Sequence, residues 1–171
     1  MIEQDTIKLL RECDAGVKMG VSSIEDVIDR VKHKPFKERL ECSKNEHWQI
    51  KGEIQNLLTQ YKDDGKDPNP IAKGMSWMKT NLKVAADDSD KVIADLITDG
   101  CNMGVKSLNR YLNQYCAADE KSKSIAKRLI GLEDDNNYKS YNLNSKNVSH
   151  RTDFKRRWSQ RIGSCRGTKS P

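Results

Sequence analysis

A metal site can be drawn from three side chains of this 171-residue sequence: Asp14, His47 and Asp99. Imidazole and carboxylate suit iron or manganese, and each residue projects toward the apolar side of a different helical pattern, so a reduced mononuclear Fe or Mn site is the chemistry they suggest. Their heights work against it. Counted from the break at His33-Lys34-Pro35, His47 lies about 13 residues along one pattern and Asp14 about 20 along the other, an offset of roughly 9 Å at ~1.5 Å per residue. Ligand atoms must all come within ~2 Å of one ion. The residue level with His47 is Gly20, whose missing side chain leaves room for an imidazole, so a hydrogen-bonded core histidine is the expectation. The six-ligand two-metal site of helical bundles needs Glu-x-x-His on two helices. His47 is preceded at that spacing by Lys44, and the last helical pattern contains no histidine. Glu46, Glu53, Asp88 and Asp95 fall on polar rows and read as a solvated face. No Gly-rich phosphate loop, G-x-S-x-G elbow or diagnostic Ser/His/Asp or Cys/His spacing occurs, which leaves hydrolase and nucleotide-binding readings without support.

A second chemistry lies near the end of the sequence. Lys155, Arg156, Arg157, Trp158 and Arg161 combine phosphate-pairing cations with an aromatic that can stack on a base, and imply weak, nonspecific nucleic-acid binding without any recognised motif. The overall charge of +6 is concentrated here: residues 136–171 hold nine Lys/Arg and one acid, so residues 1–135 carry −2. Five cysteines are scattered without a C-x-x-C pair, as expected of reduced thiols in a cytoplasmic protein. No apolar run is long enough for a membrane span, and the first residues lack the pattern of a signal peptide.

These side chains must be positioned by helices. Leu10, Cys13, Val17, Gly20, Ile24, Val27 and Val31 step by threes and fours and predict a helix over 3–32, flanked by a row of Ile7, Val21 and Ile28 with Asp14 as its polar member. Phe36, Leu40, Ser43, His47, Ile50, Ile54, Leu57 and Tyr61 predict a second over 36–62, forming an antiparallel hairpin with the first. Residues 63–70, with Gly65 and two prolines, stop it. Met75, Trp77, Met78 and Leu82 are too apolar for a free linker and predict a long crossover that becomes helical. The third main helix starts either at the cap-like run Asp87-Asp88-Ser89-Asp90 or inside a longer helix from near Ser76. Its core rows are Val92, Leu96, Met103 and Ile93, Ile97, Gly104, Leu108, Tyr111, Tyr115. The fourth starts near Asp119, carries Ile125, Leu129 and Leu132, and spans about four turns where the second spans seven. One phrase occurs twice: Gly16-Val-Lys-Met19-Gly20-Val21-Ser-Ser23-Ile24 and Gly100-Cys-Asn-Met103-Gly104-Val105-Lys-Ser107-Leu108. Two related hairpins explain it, with the paired glycines as a bare ridge where backbones approach. After residue 135 the periodicity stops in an Asn/Ser-rich stretch, so the division is a helical bundle over 1–135 and a basic, largely disordered tail over 136–171. Three accounts of the short fourth helix stay open: a bundle open at one end, a gap filled by Phe154 and Trp158, or an ending acquired by frameshift or read-through.

Gly74-Met-Ser-Trp77-Met-Lys79-Thr-Asn-Leu82-Lys, followed by Asp87-Asp88, Ile93, Gly100 and Tyr111, resembles the second half of an uncharacterised bacterial ferritin-like four-helix-bundle family, a domain of unknown function. The resemblance covers about residues 3–132 and implies a ferritin-like fold, two hairpins joined by a long crossover. Where that family carries a carboxylate just after the glycine, this chain has Cys101. The expectation is therefore an all-α, ferritin-like four-helix bundle acting as a non-enzymatic structural or interaction module, with self-association as one mode. A metal-binding or redox protein with an atypical site, and a nucleic-acid-associated protein acting through its tail, are the alternatives.

Overall fold

The three–four stepping of Leu10, Cys13, Val17, Ile24 and Val27 puts all five on the buried face of one helix, α1, Ile2–Val27. A 3₁₀ turn, Ile28–Arg30, tightens its end and takes Ile28 into the core. Pro35 then sits in the first turn of α2, Lys34–Gln60, where its missing N–H has no helical partner to lose. All of Phe36, Leu40, Ser43, His47, Ile50, Ile54 and Leu57 are buried, so the expected seam of α2 holds through its two polar members. The computed structural model describes residues 2–68 and 89–136. Within these, α3 is Asp90–Gln114 and α4 is Glu120–Asp135, and the described residues contain no strand.

Both later helices begin at caps. The Ser89 side chain accepts from Val92 N, which sets the start of α3 at the cap-like run, and the Asp119 carboxylate accepts from Ser122 N at 2.7 Å to start α4. The predicted burial of Met75, Trp77, Met78 and Leu82, and the predicted tail, lie outside the described residues.

Hydrogen bonds at the helix ends define the path of the chain. The Asp90 carboxylate accepts from Lys32 N at 2.8 Å and His33 N at 2.7 Å, so α3 starts beside the α1–α2 turn. Asp119 N donates to Thr6 Oγ1 at 2.9 Å and Ala117 N to Asp5 at 3.2 Å, so the α3–α4 turn lies at the start of α1. Helices α2 and α3 therefore run in the same direction, and residues 61–68 leave α2 beside α1. They are tied to α1 by Arg11–Asp63 at 2.6 Å, Lys66–Glu12 at 2.6 Å and Lys18–Asp67 at 2.8 Å. Gly65 makes this turn possible: its φ is 83°, and a Cβ there would fall 2.5 Å from Asp14 Oδ2.

Helix α1 packs against the other three, and α4 lies against both α2 and α3. Two apolar clusters result. One, around Leu9, Leu10, Val17, Ile54, Leu58, Leu108, Ile125 and Leu129, draws on all four helices. The other, around Val27, Phe36, Leu40, Ile93 and Ile97, draws on α1, α2 and α3 and the turn after α1, because α4 has 16 residues against 27 in α2 and stops short of it. One expected core position fails: Met103 is 65% exposed. It lies two residues beyond buried Cys101, hence roughly on the opposite face of α3, and the row through Leu96 leaves the interior within one heptad. No helix among the described residues is long and apolar enough to cross a membrane.

Neighbouring residues of α4 give opposite expectations. Leu129 is fully buried, and Leu129→Ala should lower the unfolding free energy by about 2–5 kcal/mol. Arg128 makes a two-pronged ion pair with Glu53 at 2.6 and 2.8 Å, half in solvent, and Arg128→Ala should cost about 1 kcal/mol or less. Urea denaturation of the two variants checks both values.

Candidate functional site

Between the two apolar clusters lies a polar layer built from one turn of α2. Ser43 and His47 are four residues apart and face inward together, each in the row that Leu40 and Ile50 continue above and below. His47 is 1% exposed. Its Nδ1–H donates to the Ser43 carbonyl at 2.8 Å, which commits that nitrogen as a donor. Nε2 lies 3.2 Å from Oε1 of Glu133 on α4. An ionised carboxylate can only accept, so facing an ionised Glu133 Nε2 carries a proton too and His47 is an imidazolium. Burial opposes that charge, but the hydrogen bond and charge of Glu133, helped by the Ser43 carbonyl and Glu46, outweigh it and hold the His47 pKa above its ordinary value of 6.5.

The remaining helices close the layer. Asn136, at the end of α4, donates from Nδ2 to Ser43 Oγ at 2.6 Å. The Cys101 thiol of α3 hydrogen-bonds Glu133; burial first, then the charge of Glu133, push its pKa far up, so it stays a thiol. Cys13 is likewise pushed up, to about 12, chiefly by burial. Helix α1 contributes bare backbone: a Cβ on Gly20 would stand 2.8 Å from His47 Nε2 and 3.0 Å from Cδ2. The expected close approach at Gly20 is thus present, but the expected glycine ridge is confined to it. At Gly16 a Cβ would sit 3.9 Å from Leu129, at Gly104 3.5 Å from Glu133, and at Gly100 it would meet nothing within 4 Å. The repeated phrase therefore does not mark a repeated close contact.

Ser43, His47 and Glu133 have the composition of a nucleophilic triad without its geometry. Ser43 Oγ is 3.5 Å from Nδ1, the nitrogen already given to a carbonyl, so His47 has no free lone pair with which to take the serine proton. The group is also buried.

The three candidate ligands do not form one site. Asp14 is buried, with Oδ2 accepting from Lys18 Nζ at 2.9 Å and Lys66 N at 3.1 Å, so it holds the chain that follows α2. His47 is paired with Glu133, and Asp99 is half-buried on α3. Among the described residues no group of three or more His, Cys, Asp or Glu side chains is placed to hold a metal ion. Lys155, Arg156, Arg157, Trp158 and Arg161 lie outside the described residues. Glu133 had a sequence signal that the reading of polar rows missed: it stands four residues after Leu129, on the stripe that runs through Ile125, Leu129 and Leu132. The chain matches no protein-family model, no curated protein and no solved structure.

Glycine substitutions should separate the close contact from the open positions. Gly20→Ala should destabilise by about 1–3 kcal/mol, because the imidazole is held on its other side and cannot move away. Gly52→Ala and Gly100→Ala, in open helix interior, should each stabilise by about 0.5–1 kcal/mol. Thermal melts of the three variants decide this.

The raised His47 pKa fixes a pH dependence. A raised folded-state value means that the contribution is complete below the ordinary 6.5 and is lost as pH rises through the folded value. Asp63, lowered by Arg11, and Glu53, lowered by Arg128, act in the other direction: their contributions are present above ordinary carboxylate values and lost in acid. Unfolding free energies across pH 5–8, below the thiol range, should therefore decline toward the alkaline end in the wild type, and that decline should be missing in His47→Gln.

Proposed function

We propose that this chain is a non-catalytic, ferritin-like helical module whose role is structural or interactive. The ferritin-like reading is supported by the connectivity, two antiparallel hairpins placed so that α2 and α3 are parallel. The non-catalytic reading rests on one observation: the interior layer where such bundles gather carboxylate and histidine ligands holds an ion pair whose imidazole has both nitrogens engaged. A histidine that ligates a metal offers one nitrogen as a lone pair. His47 directs one toward Ser43 and the other toward Glu133, so the layer works as a tie between the two hairpins. The described residues do not fit a two-metal centre.

Elemental analysis tests this. Protein made without a histidine tag is incubated anaerobically with Fe(II) or Mn(II), desalted and measured beside His47→Gln. Both should retain far less than one metal per chain. Stoichiometric metal in the wild type that the substitution removes would overturn the reading and make the layer a metal centre.

A further inference from the structure

The ionic layer sits where α4 ends, and that end is poorly secured by its own sequence. Its last turn carries Glu133, Asp134 and Asp135 and no basic residue. Three carboxylates at the negative end of a helix repel one another and the helix dipole. Glu133 to His47 and Asn136 to Ser43 are among the contacts that tie the turn to α2, beside buried Leu132. The other end of α4 is fastened separately, by the Asp119 cap, the Asp119–Thr6 hydrogen bond and the burial of Ile125 and Leu129.

We propose that the His47–Glu133 contact is a pH-operated latch, in which charged His47 fastens the last turn of α4 to α2 and loss of its proton releases that turn. The geometry leaves few other outcomes. Because Nδ1–H is given to the Ser43 carbonyl, the proton that leaves is the one on Nε2. A lone pair then faces a carboxylate oxygen at 3.2 Å, and an attractive contact becomes a repulsive one. The imidazole cannot withdraw toward α1, where the Gly20 backbone is against it. The groups around it are Glu133 from α4, the Cys101 thiol from α3, the Ser43 carbonyl and Glu46 from α2, and uncharged Gly20 from α1. Arg39 of α2 and Asp134 of α4 act on the same layer through Cys101. Those that act on His47 by charge, Glu133 and Glu46, are anions that favour the closed form. The element that carries Glu133, and on which the repulsion acts, is the acidic last turn of α4.

The test is amide hydrogen exchange on the full chain from pH 5.5 to 9, corrected for base catalysis, with the His47 ring followed by NMR over the same range. Protection of residues 130–136 should fall about tenfold or more through the His47 titration, while residues 122–128 keep theirs. In Glu133→Gln the side-chain amide can donate to neutral Nε2, so the fall should disappear and His47 should titrate at lower pH. Unchanged protection at 130–136 through the wild-type titration would overturn the latch. The same fall in Glu133→Gln would also overturn it. The wild-type result stands alone if the variant does not fold.

Discussion

A charged imidazole and a carboxylate facing each other in the bundle interior set the terms for everything around them. Taking either ion out of water alone costs several kcal/mol, so neither tolerates being buried without the other. His47 belongs to the first hairpin and Glu133 to the second, 86 residues away. Sliding α4 by one turn along α2, ~5.4 Å, would leave both charges buried and unpaired, a penalty of about 3–5 kcal/mol. Apolar contacts among Ile54, Ile125 and Leu129 permit several registers; the ion pair permits one. Gly20 belongs to the same constraint, because α1 can close over the pair only where it has no side chain.

Fixing the register also fixes where the two cores divide. Above the pair α4 completes a four-helix core; below it α1, α2, α3 and the turn after α1 supply the described cluster. The long connection between the hairpins is held at both ends by aspartates that accept backbone N–H groups. Asp14 takes Lys66 N at one end, and Asp90 takes Lys32 N and His33 N at the other. A carboxylate used this way offers directional acceptors to donors that no helix satisfies, a stronger arrangement than the exposed ion pairs nearby. This is the work of Asp14, whose polarity on an apolar face first suggested a ligand.

Much of the architecture was legible because it depends on local spacing. The seams of α1 and α2 follow from three–four stepping and the start of α4 from the cap at Asp119, while the sequence left two starts open for α3 between which the Ser89 cap decides. Gly20 opposite His47 follows from counting residues back from one turn. Reading failed where position depends on a distant partner. Met103 shares a heptad row with Leu96 but is exposed at its own level. Glu133 was not singled out by its own helix, and only the docking of α4 on α2 gives it an imidazole. Cys101, which stood out as a departure from the resembled family, proves to contact that same carboxylate. The doubled glycines misled for a related reason: repetition in sequence does not require repetition in packing, and only one of the four is pressed by a neighbour.

A stability argument alone does not account for such a layer. Replacing a buried ion pair with well-packed apolar side chains is commonly neutral or stabilising by about 1–4 kcal/mol, and the flanking cores of leucine, isoleucine and valine show what this chain uses where burial is the sole requirement. Register is one property that charge supplies and apolar packing does not. Response to protonation is the other, and the placement distinguishes them. A pair serving register alone would work equally well in the middle of α4, beside Leu129, where both sides are locked by packing. This one is in the last turn, adjoining two further acids and short of the three-helix core, where a change of charge acts on the end of a helix rather than on its packed middle.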